Sequence, residues 1–273
     1  MRDKIREYFL KNKIEYFAVL DYADCREIWS DVPTRVGFSP KSAIVYLAPY
    51  YVGEGENISA YATSLDYHIF LKEIGEGLAS LLSELCPGCA SRPYGDHSPI
   101  DECHAAAIGG LGVLGDNRLL INEKYGSYVF VGDVLTDISP ELISANKPLP
   151  VSSCLQCGAC KKACPTGKLS GGCDACLSEI TQRKGELTEA EREMMRKFNT
   201  AWGCDVCQRV CPHNRDISET PIDFFHRDRI TRLSADVLSS MSKEEFKSRS
   251  FAWRGRPTVM RNIAVLDRVG DGE

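Results

Sequence analysis

The stretch Cys154–Cys211 holds nine of the chain's thirteen cysteines. Its first run reads C-L-Q-C-G-A-C-K-K-A-C-P and places Cys154, Cys157, Cys160 and Cys164 ahead of Pro165. Thiolates at this C-x2-C-x2-C-x3-C-P spacing suit iron–sulfur cubanes. The first three wrap one cluster corner by corner, and the fourth, turned away before the proline, ligates another. The second run, C-D-V-C-Q-R-V-C-P, supplies Cys204, Cys207 and Cys211. Two [4Fe–4S] clusters then lack one ligand, which Cys173 or Cys176 can provide. Zinc competes for paired C-x-x-C motifs, but the tight first run is poor tetrahedral geometry. A disulfide framework belongs to secreted chains, and nothing marks this one as secreted.

Such runs need a scaffold. At 273 residues, 43% of them hydrophobic and 26% charged, the chain can bury a large core and hold two domains. A net charge of −5 excludes a wholesale basic nucleic-acid binder, so any such contact must be a local patch. The opening MRDKIREYFLKNK has no apolar h-region and does not read as a signal peptide. No apolar run reaches the ~18 residues of a membrane span. A reducing cytoplasm suits so many thiols.

Hydrophobic period and breakers give the elements. Residues 1–12 read as a helix with Ile5, Tyr8, Phe9 and Leu10 inward. Tyr16–Asp21 and Ala43–Pro49 read as buried strands, with Pro33–Pro40 as loop between them. Asn57–Leu85 has a helical pattern carried by Ile69, Leu71, Ile74, Leu78, Leu81 and Leu82. After a turn at Gly95–Pro99 come a helix over Ile100–Ile108 and strands over Leu119–Asn122 and Tyr128–Leu135. Ile143–Pro150 reads as a linker, Thr188–Asn199 as a helix opened by a Thr188/Glu191 capping box, and the chain from Ser234 onward as short helices. Strands mixed with long helices predict a layered α/β domain ahead of the cysteine-rich one.

Four further features carry chemistry or imitate it. Gly110–Gly115 satisfies G-x-G-x-x-G, but it follows a helix and precedes a strand, the reverse of a dinucleotide site. Cys86-Pro87-Gly88-Cys89 could be a redox dithiol, yet it closes a helix instead of opening one, which favours structural thiols; Cys25 and Cys103 have no partner pattern. Asp96, in Gly95-Asp96-His97-Ser98-Pro99, reads from its neighbours alone as a turn or capping residue. Lys247–Arg261 holds Lys247, Arg249, Arg254, Arg256 and Arg261 with Phe251 and Trp253 between them and no acidic residue. That composition suits an RNA backbone with unstacked bases, or a solvated face.

Taken in order, these stretches resemble the epoxyqueuosine reductases, cobalamin and iron–sulfur enzymes of queuosine synthesis on tRNA. The matching strings are Ile58–Ala62 with Asp66-Tyr67-His68, Asp96–Ile100, Gly110–Asn117, Tyr125–Gly132, the first cysteine run with Thr166-Gly167, Cys176–Gln182, Gly203–Pro212 and Arg261–Val265. The resemblance implies an α+β protein: a nitroreductase-like cobalamin- and substrate-binding domain over 1–145, a ferredoxin-like two-cluster domain over 146–220 and a short helical segment over 221–273. It makes Cys176 the eighth ligand. Cluster one takes Cys154, Cys157, Cys160 and Cys211; cluster two takes Cys164, Cys176, Cys204 and Cys207. It places the general acid at Asp96 and the cobalamin contacts at Asp96, Leu120, Asn122, Val131 and Gln182. It implies single-electron reduction of the cobalt, fed by a donor such as a flavodoxin or ferredoxin, and opening of an epoxide to an alkene with loss of water. Asp66-Tyr67-His68 also begins the D-x-H-x-x-G signature that offers histidine to cobalt in some cobalamin proteins. Leu71 stands where it needs glycine, so no protein histidine is expected on cobalt. Where the family commonly has Trp and Lys in its glycine loop, this chain has Val113 and Asp116. It ends soon after Arg261-Asn262, so the helical-repeat extension of longer members is expected to be missing, and tRNA contact would fall to Lys247–Arg261.

Overall fold

The structure, a computed structural model, describes residues 1–267. The last six residues of the expected helical segment lie outside the described residues. Two compact units emerge. The first comprises residues 1–50, 68–156 and 220–222; the second comprises 51–67, 157–219 and the described residues from Asp223 onward. Neither unit is one continuous stretch, whereas the sequence reading cuts the chain at residues 145 and 220.

The first unit opens with α1 (Arg2–Lys11), β1 (Phe17–Asp21), α2 (Val32–Val36) and β2 (Ser42–Pro49). After residue 67 it continues with α3 (Tyr67–Leu85), β3 (Ser91–Gly95), α4 (Glu102–Ile108), β4 (Val113–Leu114), β5 (Leu120–Ile121), β6 (Val129–Thr136) and α5 (Pro140–Ile143). Its sheet runs β1-β2-β6-β3, antiparallel throughout. β2 is buried at all eight positions because helices cover both faces. On one face Ala105–Ile108 of α4 pack on Ala43, Val45, Leu47 and Leu135. On the other, Phe9 of α1 meets Tyr46 at 5.1 Å between ring centroids, and the Tyr46 hydroxyl donates to the Leu71 carbonyl of α3. Sheet plus flanking helices make the α+β class expected.

Four local expectations change. The helical pattern from Asn57 yields a helix only from Tyr67; the stretch before it is extended, with one 3-10 turn at Ala60–Ala62, because its backbone is bonded elsewhere. Pro33–Pro40 is helical at its start, where Pro33 sits in the first turn of α2 and leaves no N–H unpaired. Leu10 and Ile69, expected inside, are 57% and 45% exposed; Ile5 with Phe9, and Phe70 with Ile74 and Leu78, make the buried stripes. Cys86 and Cys89 are bonded to each other as a disulfide after α3, not free thiols.

The second unit contains α6 (Ala159–Ala163), α7 (Leu177–Gln182), α8 (Glu189–Lys197), α9 (Val206–Arg209), α10 (Asp223–His226), α11 (Ala235–Ser240), α12 (Lys243–Lys247) and α13 (Arg256–Asp267). The Thr188/Glu191 capping box is present at α8. Trp202, Phe251, Leu238 and Ile263 centre its larger core, joined by Ile58 and Ala62 from the 51–67 segment.

Candidate cluster site and acid turn

In the second unit the family-like string Ile58–Ala62 is a strap on the second cysteine run. The Ser59 amide donates to the Trp202 carbonyl at 2.8 Å, and the Trp202 indole donates to the Tyr61 hydroxyl at 2.9 Å. Asp205, inside the C-D-V-C motif, is buried; its carboxylate accepts from the Ser59 hydroxyl and, at 2.7 Å, from the Ala60 amide. Burial pushes the Asp205 carboxyl up, and these two bonds work against that. Gly203 has φ +77°, and a Cβ there would lie 2.4 Å from that of Ser59, so only glycine lets the strap approach Cys204. Sequence reading passed over Asp205; an acidic residue enclosed by a C-x-x-C pair was its signal. Asp205→Ala should strand the Ala60 N–H and the Ser59 hydroxyl at about 1–3 kcal/mol each. A lower Tm together with lower iron content after reconstitution would show it; wild-type values in both would refute it.

Among the thiols, burial raises Cys204 to about 11 and Cys207 to about 12, and neighbouring sulfurs add to it. Cys204 feels Cys176 and Cys164; Cys207 feels Cys204, Cys176 and Cys160. The second unit therefore gathers these cysteines, Cys176 from the head of α7 among them. Cys173 is exposed. Burial pushes the Cys164 thiol up, but bonds from the Leu169, Thr166 and Lys168 backbone and the Thr166 hydroxyl outweigh it and hold the thiol below its ordinary value. Backbone donors aimed at sulfur fit a thiolate that binds metal. Cys154 belongs to the first unit, where its sulfur accepts from the Asp116 and Gln156 amides at 3.4 and 3.5 Å. The Asp116 contact is made by the backbone, so it does not depend on which side chain replaces the family's Lys.

Also in the first unit, β3 ends at Gly95, paired with Gly132, and Asp96 turns away at φ +69°. Asp and Asn tolerate this left-handed region better than other side chains. A Cβ on Gly95 would lie 2.7 Å from a Leu71 methyl, so α3 seats the turn. Asp96 caps no helix: Asp101 caps α4. One Asp96 carboxylate oxygen lies 3.7 Å from His68 Nε2, and the Asp96 amide donates to Glu102 Oε1 at 3.0 Å. Of the expected cobalamin contacts, Leu120, Asn122 and Val131 share the first unit with Asp96, and Gln182 belongs to the second. Asn122 is buried and its side chain is engaged within the fold, donating to the Leu111 carbonyl and accepting from the Lys124 and Tyr125 amides.

Residues 153–214 match the family described as 4Fe-4S double cluster binding domain. The epoxyqueuosine reductase of Gloeobacter violaceus is 35% identical over 224 residues, covering 76% of this chain and 68% of that protein. The chain belongs to the epoxyqueuosine reductase family. It spans about half the length of several of the curated relatives it matches. Its fold is that of the solved epoxyqueuosine reductase from Streptococcus thermophilus (TM-score 0.81, 22% identity, 97% of this chain and 80% of that one). It also matches the fold of an epoxyqueuosine reductase solved with an epoxyqueuosine-modified tRNA-Tyr stem loop (TM-score 0.78, 21% identity, 97% and 80%). Among the described residues no helix is long and apolar enough to cross a membrane.

The basic stretch Lys247–Arg261 divides in a way its composition hides. Arg249 donates to the Asp228 carbonyl, Arg256 to the carbonyls of Leu238, Met241 and Ser242, and Arg261 to those of Arg183 and Gly185. Asn262, fully buried, ties the Thr181 and Ala201 carbonyls together. These are structural clasps. Lys247 is exposed, and Trp253 is 60% exposed with the Arg254 guanidinium 3.6 Å from its ring centroid. Trp253 and Arg254 border a cavity of about 580 Å³ with Cys176, Gln182, Arg183 and Lys184.

Proposed function

We propose that this chain reduces epoxyqueuosine to queuosine in tRNA, with two [4Fe–4S] clusters and cobalamin as its cofactors. The observation that carries the reading is a double-cluster domain in one chain with a carboxyl-bearing turn seated on a separate α+β sheet. The ligand sets follow the sequence reading: Cys154, Cys157, Cys160 and Cys211 for one cluster, and Cys164, Cys176, Cys204 and Cys207 for the other. The influence of Cys176 and Cys164 on Cys204, and of Cys204 and Cys176 on Cys207, supports the second set; Cys160 acts on Cys207 as well. Asp96, Leu120, Asn122, Val131 and Gln182 are the proposed cobalamin contacts, Asn122 through the turn it holds. When bound, the clusters would supply single electrons and cobalamin a low-valent metal for opening the epoxide. Asp96 presents its carboxyl at the mouth of the turn and gives a proton to the epoxide oxygen as the ring opens. His68, beside that carboxylate, orients it and is not needed on cobalt. A small electron carrier such as a flavodoxin or ferredoxin supplies the electrons.

Trp253, Arg254 and Lys247 form the proposed tRNA contact, an aromatic surface beside cations. The test is anaerobic turnover of epoxyqueuosine in tRNA by fully loaded protein, scored by the mass of the released nucleoside; no product with both cofactors loaded would overturn the reading. Trp253→Ala should weaken binding of that tRNA about tenfold at fixed ionic strength, the scale of losing one stacked base. Arg256→Ala should instead lower Tm and leave affinity alone. Equal affinity in wild type and Trp253→Ala would remove Trp253 from the RNA surface.

A further inference from the structure

Beneath the Asp96 turn lie two carboxyls that nothing above uses. Asp133 projects from β6 on the α4 face of the sheet, alongside Leu135, and is fully buried. Among the described residues neither of its carboxylate oxygens has a well-formed hydrogen-bond partner, although the Ser98 hydroxyl lies near. Glu102, in the first turn of α4, is the residue that accepts the Asp96 amide. The charges acting on it are negative, from Asp133, Asp96 and Asp101. The other titratable neighbours are Cys25, Tyr46 and Tyr94 around Asp133, and Cys103 beside Glu102. The Tyr94 hydroxyl is itself buried without a partner, with Arg35 and Arg92 the cations acting on it.

A fully buried carboxylate with no donor is costly unless it carries a proton. Burial pushes Glu102 up to about 9, with Asp133 the next cause, and pushes Asp133 up to about 7. The Asp96 backbone, at positive φ, has its amide bonded to Glu102. The rest of the turn is anchored nearby: the His97 ring lies 5.0 Å from that of Trp29, and the Pro99 carbonyl accepts from the Ile28 amide.

We propose that Glu102, half-buried in the first turn of α4, is a carboxyl latch that holds the Asp96 turn by the Asp96 amide, with the buried Asp133 carboxyl as its neighbour. Glu102 is thus a positioning residue: it fixes where Asp96 points and does not touch substrate. The catalytic part of this inference rests on the epoxide-reduction reading; the latch itself does not.

Three measurements test it. A carboxyl with a raised folded pKa binds more protons in the native state than in the unfolded chain, so stability falls as pH climbs between the two values. The wild-type Tm should therefore decline from about pH 5 to about pH 9, by that linkage. Glu102→Gln cannot ionise; its decline should flatten, and its Tm at pH 8.5 should exceed the wild type's. Its amide oxygen still accepts, so the Asp96 amide should stay protected from hydrogen exchange. Glu102→Leu should expose that amide and lower turnover at least tenfold with tRNA affinity unmoved, and Glu102→Gln should recover most of the loss. A Gln variant whose Tm follows wild type at every pH would overturn the proposal, as would a Leu variant whose Asp96 amide stays protected. The first two readouts need neither substrate nor cofactor, so they decide the latch even where the wild type turns over no tRNA.

Discussion

Asp96→Asn should cut turnover of epoxyqueuosine in tRNA by roughly 10²–10⁴, the usual worth of a general acid, while both clusters and cobalamin load as in the wild type. Asparagine is the informative replacement for a structural reason. Asp96 sits at φ +69°, and asparagine tolerates that conformation about as well as aspartate. Its backbone N–H remains to donate to Glu102. The turn should keep its shape and lose only the proton. Alanine would confound the two by straining the left-handed residue. Iron content, cobalamin absorbance and product mass from the same preparation decide the matter. Near-wild-type turnover in the Asn variant would reduce Asp96 to a turn residue.

Reconstituted protein should carry about eight irons, two cubanes of four. Cys176→Ala should lose a cluster, and Cys173→Ala should not. Cys176 heads α7 and adds to the charge felt by Cys204 and Cys207. Cys173 is exposed, three residues before it. The loss would be severe: a missing corner leaves an iron open to water, and two of the three remaining ligands, Cys204 and Cys207, sit in surroundings that already resist ionisation. Iron analysis with the EPR of the reduced protein would count the clusters. Retention of eight irons by Cys176→Ala, with loss in Cys173→Ala, would transfer the ligand role to Cys173.

The cysteine runs were legible in the sequence because ligands within one run come at short fixed spacing, even though each proposed cluster draws on both runs. The strands were legible locally too, as apolar runs between breakers became β1, β2 and β6 within a residue or so. What the sequence hid was non-local. Asn57–Tyr67 has a helical rhythm, but its amides and carbonyls are bonded to residues near 200, and that partnership overrides periodicity. Five basic residues over Lys247–Arg261 look alike as letters; three are tied to main-chain carbonyls elsewhere in their unit. Asp133 stands inside a strand string as one polar letter, and only the sheet with α4 over it makes that letter a buried carboxyl. From its sequence neighbours alone Asp96 reads as an ordinary turn aspartate. Its positive φ and its bond to Glu102 set it apart.

The strap at 57–62 also bears on how the chain can be cut and how it is made. The Ser59–Asp205 contact spans 146 residues of sequence. A fragment starting near residue 146 would carry every cluster cysteine yet lack the strand of main chain that receives Asp205, and its complement would bear the orphaned strap. During synthesis the strap leaves the ribosome long before its anchor, so that contact closes late, after a long loop has been drawn in. Domain shuffling in such a protein must therefore move two pieces of chain together.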